Sequence, residues 1–318
     1  MSRTAKTWLI IAGILVVLGP ALIVFSAAGG VGFSNIGREK YEEKTYEISA
    51  TFDQIDVKTD IANVVLATAD ECRVVCDSSE KLTDSAEVKN GALVIRSEKN
   101  TKWYDNLFSF SFNSPKIKVY LPEKMYNTLK IESETGDAVI AEGLTFGNLL
   151  IAGDTSDIAC AADIKDSAGF AVSTGDITLG GSVGTANIAT TTGDVVMLSV
   201  KGTGDISVAT DTGDINIEKS TCDGCSIKSN TGDITLTNTV AGGTLDIRSN
   251  TGDVTFDRSD GKAVTVNTTT GEVEGSLLSE KIFSVKTSTG EVKVPDSSAG
   301  GKCEITTTTG DVTITVER

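Results

Sequence analysis

The chain has no histidine. That absence excludes Ser-His-Asp and Cys-His nucleophilic sites, and any histidine-ligated metal. Basic residues are also short: 28 Lys and Arg stand against 44 Asp and Glu, leaving a net charge of −16 and a pI near 4.5. Such an excess of negative charge argues against nucleic acid and against electrostatic docking on anionic lipid. Long insertions are missing too. From residue 129 onward the segments between turn signals vary in length by only a residue or two. They leave no room for the long loops that wall the clefts of carbohydrate-cleaving β-helices, and no carboxylate pair stands apart as general acid and base. The expectation is a non-enzymatic protein without a cofactor.

What is present is one repeated phrase: apolar-x-apolar-x-Ser/Thr-x-Thr-Gly-Asp-Val/Ile-x-apolar. Clear copies are "CSIKSNTGDITL" (Cys225 to Leu236), "LDIRSNTGDVTF" (Leu245 to Phe256) and "CEITTTTGDVTI" (Cys303 to Ile314). The turn glycines are Gly136, Gly175, Gly193, Gly213, Gly232, Gly252, Gly271, Gly290 and Gly310, with Ser156 in one glycine slot. Successive spacings are 20, 19, 18, 20, 19, 20, 19, 19 and 20 residues. A period so short means stacked coils, because one unit cannot bury its own apolar face. The fold class is therefore all-β, a parallel β-helix or β-solenoid with coils of 19–20 residues. On this reading the Gly310 coil ends the stack.

Aligned on the glycine, apolar residues fill the positions seven and five before it and two after it. Inward-facing positions are odd before the glycine and even after it, so the buried face shifts by one residue at Thr-Gly. A corner residue with positive φ produces that shift, and glycine adopts it without the steric penalty of other residues. Variable stretches such as "NTVAGG" and "RSDGKA" form a third short side.

Ahead of the repeats, Arg3 and Lys6 precede an uncharged apolar run from Trp8 to Phe25. Eighteen such residues can span a bilayer as one N-terminal transmembrane helix, with Gly19-Pro20 as a tolerated kink. A cleaved signal peptide ending near Ser26 or Ala28 is the alternative. Either sends the remainder across the membrane. The domain reading is residues 1–7 as a cytoplasmic tail, 8–28 as anchor or signal peptide, 29–45 as linker, 46–128 as an N-terminal β cap with an excursion, and 129–318 as the solenoid. Within the cap, "IDVKTDIANVVLAT" (Ile55 to Thr68) matches the repeat with Ala62 in the glycine slot, and is expected to be the capping coil. The excursion at 69–128 carries "CRVVCDS", "ALVIRS" and "PKIKVYLP", and the most aromatic stretch, "KWYDNLFSFSF" (Lys102 to Phe112). No wall-sorting signal or second domain is expected after the repeats.

Three columns are candidates for chemistry. The acidic residue after each glycine (Asp137, Asp157, Asp176, Asp194, Asp214, Asp233, Asp253, Glu272, Glu291 and Asp311) faces outward by parity. Neighbouring carboxylates about 4.8 Å apart repel by nearly 1 kcal/mol in water. Either turn hydrogen bonds or bound cations offset this, with Asp214, Asp233 and Asp253 as candidate Ca²⁺ ligands. The turn reading is the default, because aspartate bonds nearby backbone amides. The threonine before each glycine, with Ser/Thr two residues earlier, makes a T-x-T ladder like that of ice-binding solenoids. Parity instead assigns these threonines to the inner corner. Cys160, Cys225 and Cys303 occupy apolar columns as small hydrophobes. Cys222-Asp223-Gly224-Cys225 is a lone C-x-x-C on a coil connection, compatible with a local disulfide but lacking a second pair in register for zinc.

The Ser/Thr-x-Thr-Gly-Asp repeats, the "VYLP" strand (Val119 to Pro122) and the single apolar span resemble the bacterial putative adhesin family. The resemblance covers about residues 50 to 318. It implies a membrane-anchored, right-handed extracytoplasmic β-solenoid that acts in adhesion or in the cell envelope, with cell-wall polymer or an envelope protein as partner. It offers no catalytic residues. The Ser156 coil and Gly275, where other coils have a larger apolar residue, depart from the pattern.

Overall fold

The computed structural model describes residues 41–100 and 114–317. The apolar segment 8–28, the linker up to residue 40 and the aromatic stretch Lys102–Phe112 lie outside the described residues. Among the described residues there are 28 strands, numbered β1–β28 in chain order, and no helix long and apolar enough to cross a membrane.

The repeats stack as parallel strands with their columns in register. In β20 (Cys225–Thr231), Cys225 and Ile227 lie beside Ile206 and Val208 of β17 (Ile206–Thr212) on one side. On the other side they meet Leu245 and Ile247 of β22 (Val240–Thr251). After the corner, β21 (Ile234–Thr237) sits between β18 (Ile215–Glu218) and the start of β23 (Val254–Thr270). Apolar side chains from both sides fill one continuous core, in which Ile215, Ile234, Val254 and Val273 have no exposed surface. The alternation in sequence has become one buried and one open face per strand.

The corner is tighter than an ordinary turn. Gly175, Gly193, Gly213, Gly232, Gly252, Gly290 and Gly310 have φ between 140° and 150°, and Gly271 has 156°. That region is essentially reserved for glycine. Proximity adds a second requirement. A Cβ on Gly232 would lie 2.0 Å from the carbonyl oxygen of Gly213, and one on Gly252 would lie 2.1 Å from that of Gly232. The two earliest corners differ. Gly136 is not among the positive-φ residues, yet its Cβ would still come within 2.4 Å of the Ala62 carbonyl oxygen. Ser156 is accommodated because Gly153 stands where most other coils carry Ser or Thr: a Cβ there would lie 2.5 Å from Ser156 Oγ.

The order of coils along the rod is not the order in the chain. At one end, β2 (Gln54–Thr59) and β3 (Asn63–Thr68) pack against β8 (Met125–Thr135) and β9 (Ala138–Ile140). Their other edges are covered by β6 (Ala92–Lys99) and β7 (Lys116–Leu121). The coil from Ile55 to Thr68 is thus an inner layer, which corrects its expected role as the cap. The cap is the excursion itself. Antiparallel strands β5 (Leu82–Lys89) on β6, β4 (Arg73–Ser78) on β7 and β1 (Glu42–Glu47) on β4 close that end. The first strand therefore begins ahead of Tyr46, at Glu42. An outer strand carrying Glu42, Glu43, Lys44 and Glu47 discourages further pairing, since charge on an edge strand opposes its use as a template.

The opposite end holds a second reordering. The second half of β23 and β24 (Val273–Leu277) pair with β27 (Gly301–Thr309) and β28 (Val312–Val316). The coil made of β25 (Lys281–Thr289) and β26 (Val292–Lys293) lies outside them. The Gly310 coil is thus inserted under the terminal layer. Val292 is accordingly 45% exposed, where Val312 in the same column is fully buried. The crossing that skips a layer contains a buried ion pair. Lys281 Nζ lies 2.6 Å from Asp260 Oδ1, and the two residues are 1% and 6% exposed. Ser279 Oγ donates to Asp260 Oδ2 at 2.6 Å, and the Gly261 amide donates to Oδ1 at 2.8 Å. A charge buried this far persists only when paired and hydrogen-bonded.

This order yields a prediction that chain order contradicts. Gly252→Val and Gly310→Val should each cost about 3 kcal/mol or more, from backbone strain plus overlap with the corner carbonyl of the adjacent inner coil. Gly290→Val should release only the terminal layer, with a smaller loss in melting temperature. A milder effect at Gly310 than at Gly290 would contradict the inserted arrangement.

Candidate functional site

The acidic column proves to be a set of rungs between coils. The carboxylate Oδ1 of Asp194 accepts the backbone N–H of Asp214 at 2.8 Å, Asp214 accepts that of Asp233 at 2.8 Å, and Asp233 that of Asp253 at 2.8 Å. The series begins where Asn63 Oδ1 accepts the Asp137 amide at 3.1 Å, and Asp253 accepts the Glu272 amide at 2.7 Å. The hydrogen bonds therefore reach the next coil, where a contact within the aspartate's own turn was the natural expectation. The cause is the glycine. Its N–H still donates to a threonine carbonyl of the next coil, as Gly232 does to Thr251 at 3.0 Å. The amide after it is turned toward the preceding coil, where the aspartate side chain supplies the acceptor. Glutamate interrupts the series: among the described residues, Glu272 accepts no such bond from the amide of Asp311. On the far side, Asp311 Oδ1 accepts the Glu291 amide at 2.7 Å.

The threonine ladder divides. The residues three before the glycine are the inward ones: Thr210, Ser229 and Thr307 are each 2% exposed. Thr190 and Thr210 donate from Oγ1 to the carbonyls of Gly175 and Gly193, both at 3.1 Å. The column just before the glycine, including Thr212, Thr231 and Thr251, is exposed, which corrects its assignment to the inner corner. Pairing joins Ser229 to Ser249 and Thr231 to Thr251 but omits Asn230 and Asn250 between them. The strand bends there, so the alternation ends before the glycine and the two hydroxyl columns face opposite ways.

A different edge carries a concavity. A groove of about 690 Å³ runs across successive coils from Ser167 to Asp246. Its floor includes Ala168 and Ala186, where neighbouring coils place Leu149 and Ile206, and Gly224 and Gly243 withdraw further volume from its rim. The walls offer Thr185, Asn187, Asp205, Ser207, Asp223 and Ser226, with no lysine, arginine or aromatic ring. Asp205 Oδ1 is engaged by the Gly224 amide at 3.0 Å. Asp246 Oδ2 accepts from Arg248 at 3.0 Å, while its Oδ1 is buried without a hydrogen-bond partner. A second cleft of about 480 Å³ lies at the capped end beside Phe52, Cys72, Lys124 and Tyr126. Its lysine is already engaged, donating to the Phe52 carbonyl at 2.7 Å with Nζ 4.8 Å from the Tyr126 ring centroid.

Cysteine chemistry is muted in most of the body. All six cysteines are free thiols. Burial pushes Cys72 and Cys160 up to about 11, and Cys76 and Cys303 up to about 12, so none of these four is a ready thiolate at neutral pH. Among the described residues no three Cys, Asp or Glu side chains converge to hold a metal ion. Among the described residues, Asp163 is the one carboxyl clearly displaced. Ser182 donates to it from its hydroxyl and from its amide, holding its pKa below the ordinary 3.8.

These contacts lead to two expected outcomes. Asp233→Asn keeps the acceptor for the Asp253 amide and removes a charge, so the melting temperature should hold or rise slightly. Asp233→Ala orphans that amide and should cost about 1–2 kcal/mol. Millimolar Ca²⁺ should leave both melts unmoved; a rise reversed by chelator would make Asp214, Asp233 and Asp253 ligands. Asp163 contributes stability that is present above its unfolded pKa and lost as pH falls through its depressed folded value. Asp163→Asn should therefore flatten the acid limb of a stability-against-pH curve.

The chain is similar to several solved structures at low identity. A solved structure of a putative lipid binding protein from Parabacteroides distasonis is similar over 75% of this chain and 95% of its own length, at 17% identity and a TM-score of 0.48. A putative adhesin from the same organism is similar over 86% of this chain and 98% of its own, at 15% identity and a TM-score of 0.48. A putative adhesin from Bacteroides fragilis matches 85% of this chain and 98% of its own, at 13% identity and a TM-score of 0.41. No curated protein matches the chain. The family model described as Toastrack DUF4097 matches residues 52–209 and again 200–318, nearly all of the folded repeats, and the chain belongs to that family.

Proposed function

We propose that the chain is a non-enzymatic binding and scaffolding module of the cell envelope, tethered to the membrane by the apolar segment Trp8–Phe25 with its solenoid outside. Its groove would hold a neutral, hydroxyl-rich polymer such as an envelope polysaccharide. The observation that carries this reading is the groove itself, a concavity of about 690 Å³ that crosses coil after coil along the rod. Its walls present hydroxyls, an amide and carboxylates that accept hydrogen bonds from sugar hydroxyls. The apolar floor suits the C–H faces of sugar rings. Three carboxylates and no cation on the lining, in a chain of net charge −16, repel phosphate-rich polymers and anionic lipid.

A self-assembling filament fits less well. End-to-end growth needs two open ends, and the antiparallel β5, β4 and β1 occupy one of them.

The test is co-sedimentation of the whole chain with insoluble envelope polysaccharide and, separately, with anionic phospholipid vesicles. Binding to the polysaccharide should fall at least tenfold in Ser226→Trp, which fills the groove from an exposed position, with the melting temperature unchanged. Equal binding by the variant would remove the groove from the account. Preferential binding to vesicles would replace the glycan with lipid.

A further inference from the structure

Cys222 and Cys225 meet at an interior corner next to the groove. Cys222 ends β19 (Thr221–Cys222), Cys225 opens β20, and only Asp223 and Gly224 separate them. Both are buried, at 6% and 3% exposure. Cys222 lies in register with Ala241, and Cys225 lies between Ile206 and Leu245.

Those two columns touch in the flanking coils. A Cβ on Gly202 would lie 2.8 Å from Cδ1 of Ile206, and one on Gly261 would lie 2.9 Å from Cβ of Leu245. The cysteine coil is also tighter than its neighbours. Three residues part Gly202 from Ile206 and Ala241 from Leu245, against two between the cysteines. The neighbouring Cys222 and burial together hold the Cys225 pKa far above the ordinary value. Two buried thiols are thus neighbours at one corner. The remaining cysteines have no such arrangement: Cys72 and Cys76 lie four residues apart along one extended stretch, and Cys160 and Cys303 belong to separate layers.

We propose that Cys222 and Cys225 form a dithiol site that closes to a disulfide by exchange with a low-molecular-weight disulfide. One cysteine, as thiolate, attacks a sulfur of R–S–S–R and expels one R–S⁻, which takes up the proton released from that thiol. The other cysteine then attacks the mixed disulfide and expels the second thiolate, which is protonated in turn. Two electrons pass from the pair to the oxidant, and two R–SH leave. The bond would pin the corner that carries Cys225 in the groove floor. The site stands on its own contacts and does not depend on what the groove binds.

The full chain, incubated with excess oxidised glutathione until its thiol content is constant, is denatured in acid, alkylated and weighed. The expected result is two fewer alkylated cysteines than the six of the chain reduced with dithiothreitol, with the peptide holding Cys222 and Cys225 lighter by two hydrogens. Cys222→Ala, whose new side chain already occurs at Ala241 in the next coil, should lose no pair of thiols to an internal bond. Three results would each overturn the proposal: six alkylated cysteines, glutathione retained on either residue, or an internal bond that survives in Cys222→Ala.

Discussion

The stack depends on how closely one coil's corner carbonyl approaches the next coil's glycine. From Gly175 to Gly310, the place a Cβ would occupy lies 2.0–2.1 Å from the carbonyl oxygen of the coil beside it. Glycine is required twice over at this point, for φ and for space. Its conformation then turns the following amide away from the ordinary ladder, and an aspartate carboxylate of the neighbouring coil receives it. The Thr-Gly-Asp phrase is one mechanical unit: the threonine carbonyl accepts, the glycine turns, and the aspartate satisfies the amide that the turn displaces. Repulsion along the acidic column is offset by charge-assisted hydrogen bonds, each about twice as strong as a neutral one. The acid ladder is therefore part of the fold, and the concave surface lies on another edge.

Much of this was legible in the residues. The apolar columns at Ile206, Ile215 and their counterparts predict which side chains are buried, because a solenoid repeats one environment every coil. The order of the layers was not. Phe283, Val285 and Val292 offer the same columns as Cys303, Ile305 and Val312, so either coil stacks acceptably on β23 and β24. Periodicity assigns membership of the stack without assigning place. The buried Lys281–Asp260 pair at the crossing is the feature that separates the two orders, and two charged residues in a variable connection carry no periodic signal. The misplacement of the threonines has a similar origin. Parity assumes a straight strand up to the glycine, whereas the bend at Asn230 and Asn250 comes earlier.

The groove was invisible for the opposite reason. It arises where the pattern weakens: Ala168 and Ala186 keep the apolar character of their column while losing its volume, and glycines open the rim. A regular rod presents the same faces throughout, so a departure in side-chain size is what gives it a localised site.

From Asp157 to Glu272, the amide after each corner residue is bonded to an aspartate carboxylate of the neighbouring coil, and the stack rests on that contact. Residue-resolved hydrogen exchange tests it most directly. The amides of Asp214, Asp233 and Asp253 belong to exposed residues at a turn, yet each donates to a carboxylate oxygen at 2.8 Å. They should exchange as slowly as the flanking strand amides of Ile215, Ile234 and Val254. Exchange at the rate of an open loop, with those strand amides still protected, would contradict it.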